Sequence, residues 1–126
     1  MTMRTPLKNV RRLGSAHEGA DHFWKQRLTG VANLILSIFL VALVLALAGH
    51  DYDVVRKELA KPIVALPLLL LVLSGVIHMR LGMQVIIEDY VHDETYKLIL
   101  LMGNTFFCAT VALASAFAIL MLSFKV

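Results

Sequence analysis

The chain has 126 residues, 59% of them hydrophobic and 17% charged, with a formal net charge of +3. Its mean hydropathy of +0.76 is too high for a soluble domain, where apolar residues run near ~45–50% and charged ones near ~25%. That composition excludes a disordered chain, a disulfide scaffold and a soluble nucleic-acid binder. The one cysteine, Cys108, lies in an apolar run and reads as a small buried hydrophobe. A chain this short holds at most one domain, and a soluble core could not hide so many aliphatic side chains. The lipid bilayer is the solvent that suits it.

Residues 1–27 form a polar opening segment with Arg4, Lys8, Arg11, Arg12, Lys25 and Arg27. Residues 28–49 follow as 22 positions without a formal charge, more than the ~20 apolar residues a helix needs to cross hydrocarbon. This first span is longer than a signal-peptide core and ends without a small-residue cleavage pattern, so it reads as mature structure. Residues 50–61 are of mixed charge and predict a solvated loop with room for a short amphipathic helix. Residues 62–88 are a second span, apolar from Pro62 to Ile87 except for His78, Arg80 and Gln84. Pro62 sits where a first-turn proline is tolerated, and Pro67 is a candidate kink that neighbouring helices accommodate.

Residues 89–97 are a short polar loop, and 98–124 a third span of 27 uncharged positions. Asn104 and Thr105 interrupt that span as interhelical hydrogen-bonding groups, and Met79, Met83, Met102 and Met121 read as adaptable packing. With the N-terminus inside, that side collects seven Lys/Arg (the six above plus Lys97) against four outside, Arg56, Lys57, Lys61 and Lys125. The positive-inside rule then favours a cytoplasmic N-terminus and a periplasmic C-terminus. The expected fold is an all-α integral membrane protein with three transmembrane helices.

Ionisable groups inside a span are rare and point to function. His78 lies eleven residues before Asp89, roughly 16 Å along a helix at ~1.5 Å per residue. That predicts a position near mid-depth. Ser74, His78 and Gly82 recur every four residues and share one helix face. Small residues on either side of a histidine leave room for a flat macrocycle, and neutral imidazole is the usual protein ligand to haem iron. The competing interpretation is a histidine hydrogen-bonded between helices, with the small residues serving close packing. His17, His22, His50 and His92 lie outside the spans, so a second axial ligand would come from another chain.

At the end of the same helix stand Glu88, Asp89, Tyr90, Val91 and His92. Asp89 is about 1100° around the helix from His78, nearly the same face. A phenol beside a carboxylate at the interface suits a quinone carbonyl, which gains negative charge on reduction and then takes up protons. A lone tyrosine there can equally be an aromatic anchor.

The run Gly75-x-x-His78-x-x-x-Gly82-x-Gln84-x-x-x-Glu88-Asp89-Tyr90-Val91 resembles the second transmembrane helix of the small hydrophobic membrane anchor of succinate dehydrogenase (respiratory complex II). Trp24-x-x-Arg27-x-Thr29-Gly30 at the mouth of the first span, three spans and a short tail agree with it. Segments such as Arg4-Thr5-Pro6-Leu7 give it an alphaproteobacterial style.

The resemblance implies that His78 is an axial ligand to haem b, opposite a ligand from a sister anchor chain of cytochrome b type. It implies that Tyr90, with Asp89 beside it, binds ubiquinone, and that Arg27, joined by His22, stands near the haem propionates. Flavin and iron–sulfur chemistry would lie on a flavoprotein subunit and an iron–sulfur subunit, so succinate is not oxidised by this chain. The place implied is the bacterial inner (cytoplasmic) membrane, in electron transport and the tricarboxylic acid cycle. Arg80 departs from the expected uncharged neighbour of a haem ligand; two positions from His78, it is rotated about 200° away. The alternatives are a small transporter or channel component in which His78 and Arg80 line a path, and a haem-free scaffold.

Overall fold

The computed structural model describes residues 19–124; Met1–Glu18, with His17 and most of the basic opening, and Lys125–Val126 lie outside the described residues. Four helices follow one another: α1 (Gly19–Leu47), α2 (Tyr52–Leu59), α3 (Pro62–Tyr90) and α4 (Glu94–Phe124). Three of them, α1, α3 and α4, are long and apolar enough to cross a membrane. The uncharged stretches 28–49, 62–88 and 98–124 fall on these three helices, except for the turn at Ala48 and Gly49.

Their ends differ from the hydropathy boundaries, because hydropathy marks lipid whereas a helix continues wherever its backbone bonds are supported. α1 begins nine residues before Leu28, in a polar turn where Lys25 pairs with Asp21 at 3.1 Å. The turn that follows Leu47 contains Gly49, whose φ of +82° is the left-handed backbone that glycine adopts without steric cost. The loop at 50–61 is mostly α2, with Lys61 paired to Glu58 just beyond its last turn. Helix α3 runs unbroken through Pro67 and has Pro62 in its first turn.

The loop expected at 89–97 shrinks to Val91–Asp93. Asp93 makes this turn possible: its Oδ1 accepts from the backbone N–H of Thr95 at 2.9 Å and of Tyr96 at 3.0 Å. Those are orphan donors at the start of α4, and Glu94 adds a favourable negative charge there. Asp93→Ala is expected to lower stability by about 1 kcal/mol, read as a lower unfolding midpoint in mild detergent.

Helix α3 is the centre of the bundle. Both α1 and α4 pack along it, antiparallel to it, and α2 touches α3 and α4 at the far end. Among the described residues only Val64, Ala65, Ile87 and Cys108 are buried, and none belongs to α1. Most of the apolar surface therefore faces outward, as lipid or a partner helix requires. Trp24, Tyr90 and Tyr96 are exposed at one end and Tyr52 at the other, the places where aromatic rings settle at membrane–water interfaces.

Candidate functional site at the seam between two helices

The face of α3 that carries Ser74, His78 and Gly82 is turned onto α1. Ser74 Oγ donates to the Thr29 carbonyl at 3.2 Å. The His78 ring sits over Gly30, where an added Cβ would stand 3.4 Å from His78 Cε1. A Cβ there would be in ordinary van der Waals contact with the ring, so alanine fits and only a longer side chain at position 30 would press on the imidazole.

The imidazole's protonation follows from its partners. His78 Nδ1 lies 3.2 Å from the Gln26 carbonyl oxygen, which can only accept, so Nδ1 carries the hydrogen. Thr29 Oγ1 stands 3.1 Å from the same nitrogen. It spends its own hydrogen on the Lys25 carbonyl at 2.7 Å and is left as a second acceptor. The lone pair of His78 is therefore on Nε2, where the Gln26 side-chain amide approaches at a long 3.4 Å. That amide also covers Gly82, 3.3 Å from where a Cβ would be. One flexible side chain, rather than backbone, closes the approach to Nε2.

His22, Gln26, Thr29 and Asn33 recur at helical spacing and form a polar stripe on α1. His22 Nε2, Gln26 Oε1 and Asn33 Oδ1 are buried with no hydrogen-bond partner among the described residues. Leaving such an atom unpaired costs ~1–3 kcal/mol, so the stripe offers three unmet bonds beside the histidine. Sequence reasoning places His22 here only through the resemblance and misses Gln26 and Asn33. Their spacing with Thr29 is the signal that could have found them.

Gln26, Thr29 and Gly30 are level with His78, and Leu28 opens the uncharged part of α1. The histidine is therefore packed against the stretch of α1 where its polar opening meets the uncharged span.

The other expected residues are not gathered at the seam. Arg27 is exposed and lies over the Phe23 ring, with its guanidinium carbon 3.7 Å from the ring centre. Asp89 and Tyr90 are exposed at the tip of the α3–α4 hairpin, Tyr90 at 77%. Asp89 shares the His78 face by rotation and is exposed. Neither side chain makes a hydrogen bond with another described residue, which leaves phenol and carboxylate free for a ligand. Glu88 instead accepts from Gln84 Nε2 at 2.8 Å.

Residues 1–121 match the family described as succinate dehydrogenase/fumarate reductase transmembrane subunit. A succinate dehydrogenase hydrophobic membrane anchor subunit from Rickettsia bellii is 36% identical over 88 residues, 70% of each chain. The protein of the same name from Paracoccus denitrificans is 31% identical over 110 residues, 87% of this chain and 85% of its own. That from Rickettsia conorii is 29% identical over 117 residues, 92% and 93% of the two chains. Both genera are alphaproteobacterial, the style expected from the sequence. With its three apolar spans and a match over nearly its whole length, the chain belongs to the succinate dehydrogenase/fumarate reductase transmembrane subunit family.

Proposed function

We propose that this chain, a membrane anchor subunit of succinate dehydrogenase by its family and relatives, holds one side of a haem b and part of a ubiquinone site. The observation that carries the haem reading is the Gln26 carbonyl on His78 Nδ1. A backbone acceptor on one ring nitrogen fixes the tautomer and aims the other nitrogen's lone pair at a metal. The chain's residues fit the group: Gly82 and the displaceable Gln26 amide border Nε2, and unpartnered His22 Nε2 stands on the same side of α1. When bound, haem supplies a one-electron centre whose potential its ligands set. His78 would be the ligand from this chain. His22 and Arg27 would serve the propionates, Arg27 by leaving its perch on Phe23.

Tyr90 and Asp89 carry the quinone chemistry. The phenol donates a hydrogen bond to a ubiquinone carbonyl, and this bond strengthens as the oxygen gains charge on reduction. The neighbouring carboxylate, near water at the hairpin tip, is placed to pass a proton. Electrons reach this end from succinate through flavoprotein and iron–sulfur chains docked on the cytoplasmic face, and the cytochrome b-type sister anchor completes the haem pocket. This orientation puts the N-terminus and the Tyr90 hairpin inside, in the bacterial inner membrane. It agrees with the excess of Lys/Arg on that side.

Purifying the complex from native membranes through a tag on this chain tests the reading. The expected result is co-purification of a flavoprotein, an iron–sulfur protein and a second membrane chain, with extractable haem b. A homo-oligomer without those chains would overturn the proposal, and a complete assembly without haem would reduce this chain to a scaffold.

A further inference from the structure

Arg80 belongs to neither the seam nor the hairpin tip. It is exposed on the face of α3 turned away from His78. Its carbonyl accepts from Asn104 Nδ2 at 3.0 Å, so it is level with the eleventh residue of α4, about 15 Å along that helix. The sequence holds nine acids, and none described lies within ion-pair distance of Arg80. Asp51, Asp53 and Glu58 are at the opposite end of the bundle, and Asp21 is held by Lys25. Glu88 takes the Gln84 amide two turns along α3, about 12 Å away, and Asp89, Asp93 and Glu94 are farther still. Glu18 lies outside the described residues.

The surroundings of Arg80 are equally telling. Arg80, Gln84 and Glu88 form a polar row at i, i+4, i+8 on a surface that is otherwise apolar. Ionisable and amide groups within a span face the interior of a bundle or a polar cavity, because acyl chains offer them no partner. Helix α4 meets that side through the Asn104 amide but brings no acid to it, and no described acid reaches Arg80, so the counter-charge comes from another chain. From this we infer that Arg80 forms an intramembrane ion pair with an Asp or Glu on a transmembrane helix of a partner subunit. The Arg80–Gln84–Glu88 row is the polar line of that interface. The inference rests on the reading of the chain as one of several membrane-embedded subunits, and it adds the charge that locks two of them together.

Substitution by leucine separates the possibilities. At a lipid-facing position, Leu is easier to insert than Arg, so assembly would hold or improve. At a paired position, Leu strands the partner's carboxylate in a low-dielectric site, which is strongly destabilising. In tagged complex purified from native membranes, Arg80→Leu is expected to lower recovery of the second membrane chain at least tenfold. Arg80→Lys should keep recovery within about threefold, since it preserves the charge. A photo-crosslinking residue at position 80 should label a partner helix within one turn of an acid. Exchanging Arg80→Glu against Lys at that acid should restore assembly. Undiminished recovery with Arg80→Leu, or adducts to lipid alone, would overturn the pair. So would an intact assembly that has lost only its haem, because the counter-charge would then be a propionate. If no partner chains co-purify even with the parent protein, the multi-subunit reading itself fails.

Discussion

His78→Ala is expected to remove, or shift outright, the reduced b-type absorbance of the purified complex, while the flavoprotein and iron–sulfur chains still assemble. The imidazole is the α3 group of the α1–α3 seam whose lone pair has no protein donor at close range. Its Nδ1 hydrogen is committed to the Gln26 carbonyl and Thr29 Oγ1, and its Nε2 meets only a long amide contact. Two further variants sharpen the result. Gly82→Leu leaves the histidine in place but fills the space beside Nε2, where only the Gln26 amide now stands, so haem content should fall with the fold kept. Thr29→Val removes a hydrogen bond from the back of the ligand ring, and losses of that kind cost about 10–100-fold in metal affinity. A normal spectrum after His78→Ala would strip the residue of its role and return it to an interhelical hydrogen bond.

How much of this is readable beforehand depends on which physical signal each feature leaves. Three uncharged stretches mark the three spans, since a bilayer tolerates little else over that length. The four-residue spacing of Ser74, His78 and Gly82 marks a face that does meet another helix, through Ser74 on Thr29 and His78 on Gly30. What covers that face is not legible. Gln26 lies in a segment that hydropathy assigns to the aqueous side, and only the helical extension of α1 back to Gly19 brings it level with His78. Counting from Asp89 measures distance along α3 and does not identify the part of α1 that lies alongside. Rotation puts His78 and Asp89 on one helical face, and among the described residues α1 meets that face at His78.

Tyr90→Phe should lower succinate–ubiquinone reductase activity about 10- to 100-fold, while electron transfer from succinate to a water-soluble dye that bypasses the quinone stays within about twofold. The substitution removes one hydroxyl and keeps the ring. That hydroxyl bonds to no described residue and projects from a hairpin turn with its side chain exposed, so its loss should not disturb folding. A donor aimed at an oxygen that gains charge during reaction is worth ~2.7–4 kcal/mol in a dry site, or about 10²–10³ in rate. A position at the membrane surface, reached by water, brings the effect toward the lower end of that scale. Asp89→Asn separates the proton from the hydrogen bond: it keeps the size and polarity of the side chain but cannot exchange a proton near neutral pH. Its expected signature is a lower maximal rate with little change in KM for ubiquinone, whereas Tyr90→Phe should raise KM as well, because the phenol also binds the ground-state carbonyl. Unchanged quinone reduction by Tyr90→Phe in an assembled complex would leave that tyrosine as an interfacial anchor and move the quinone elsewhere.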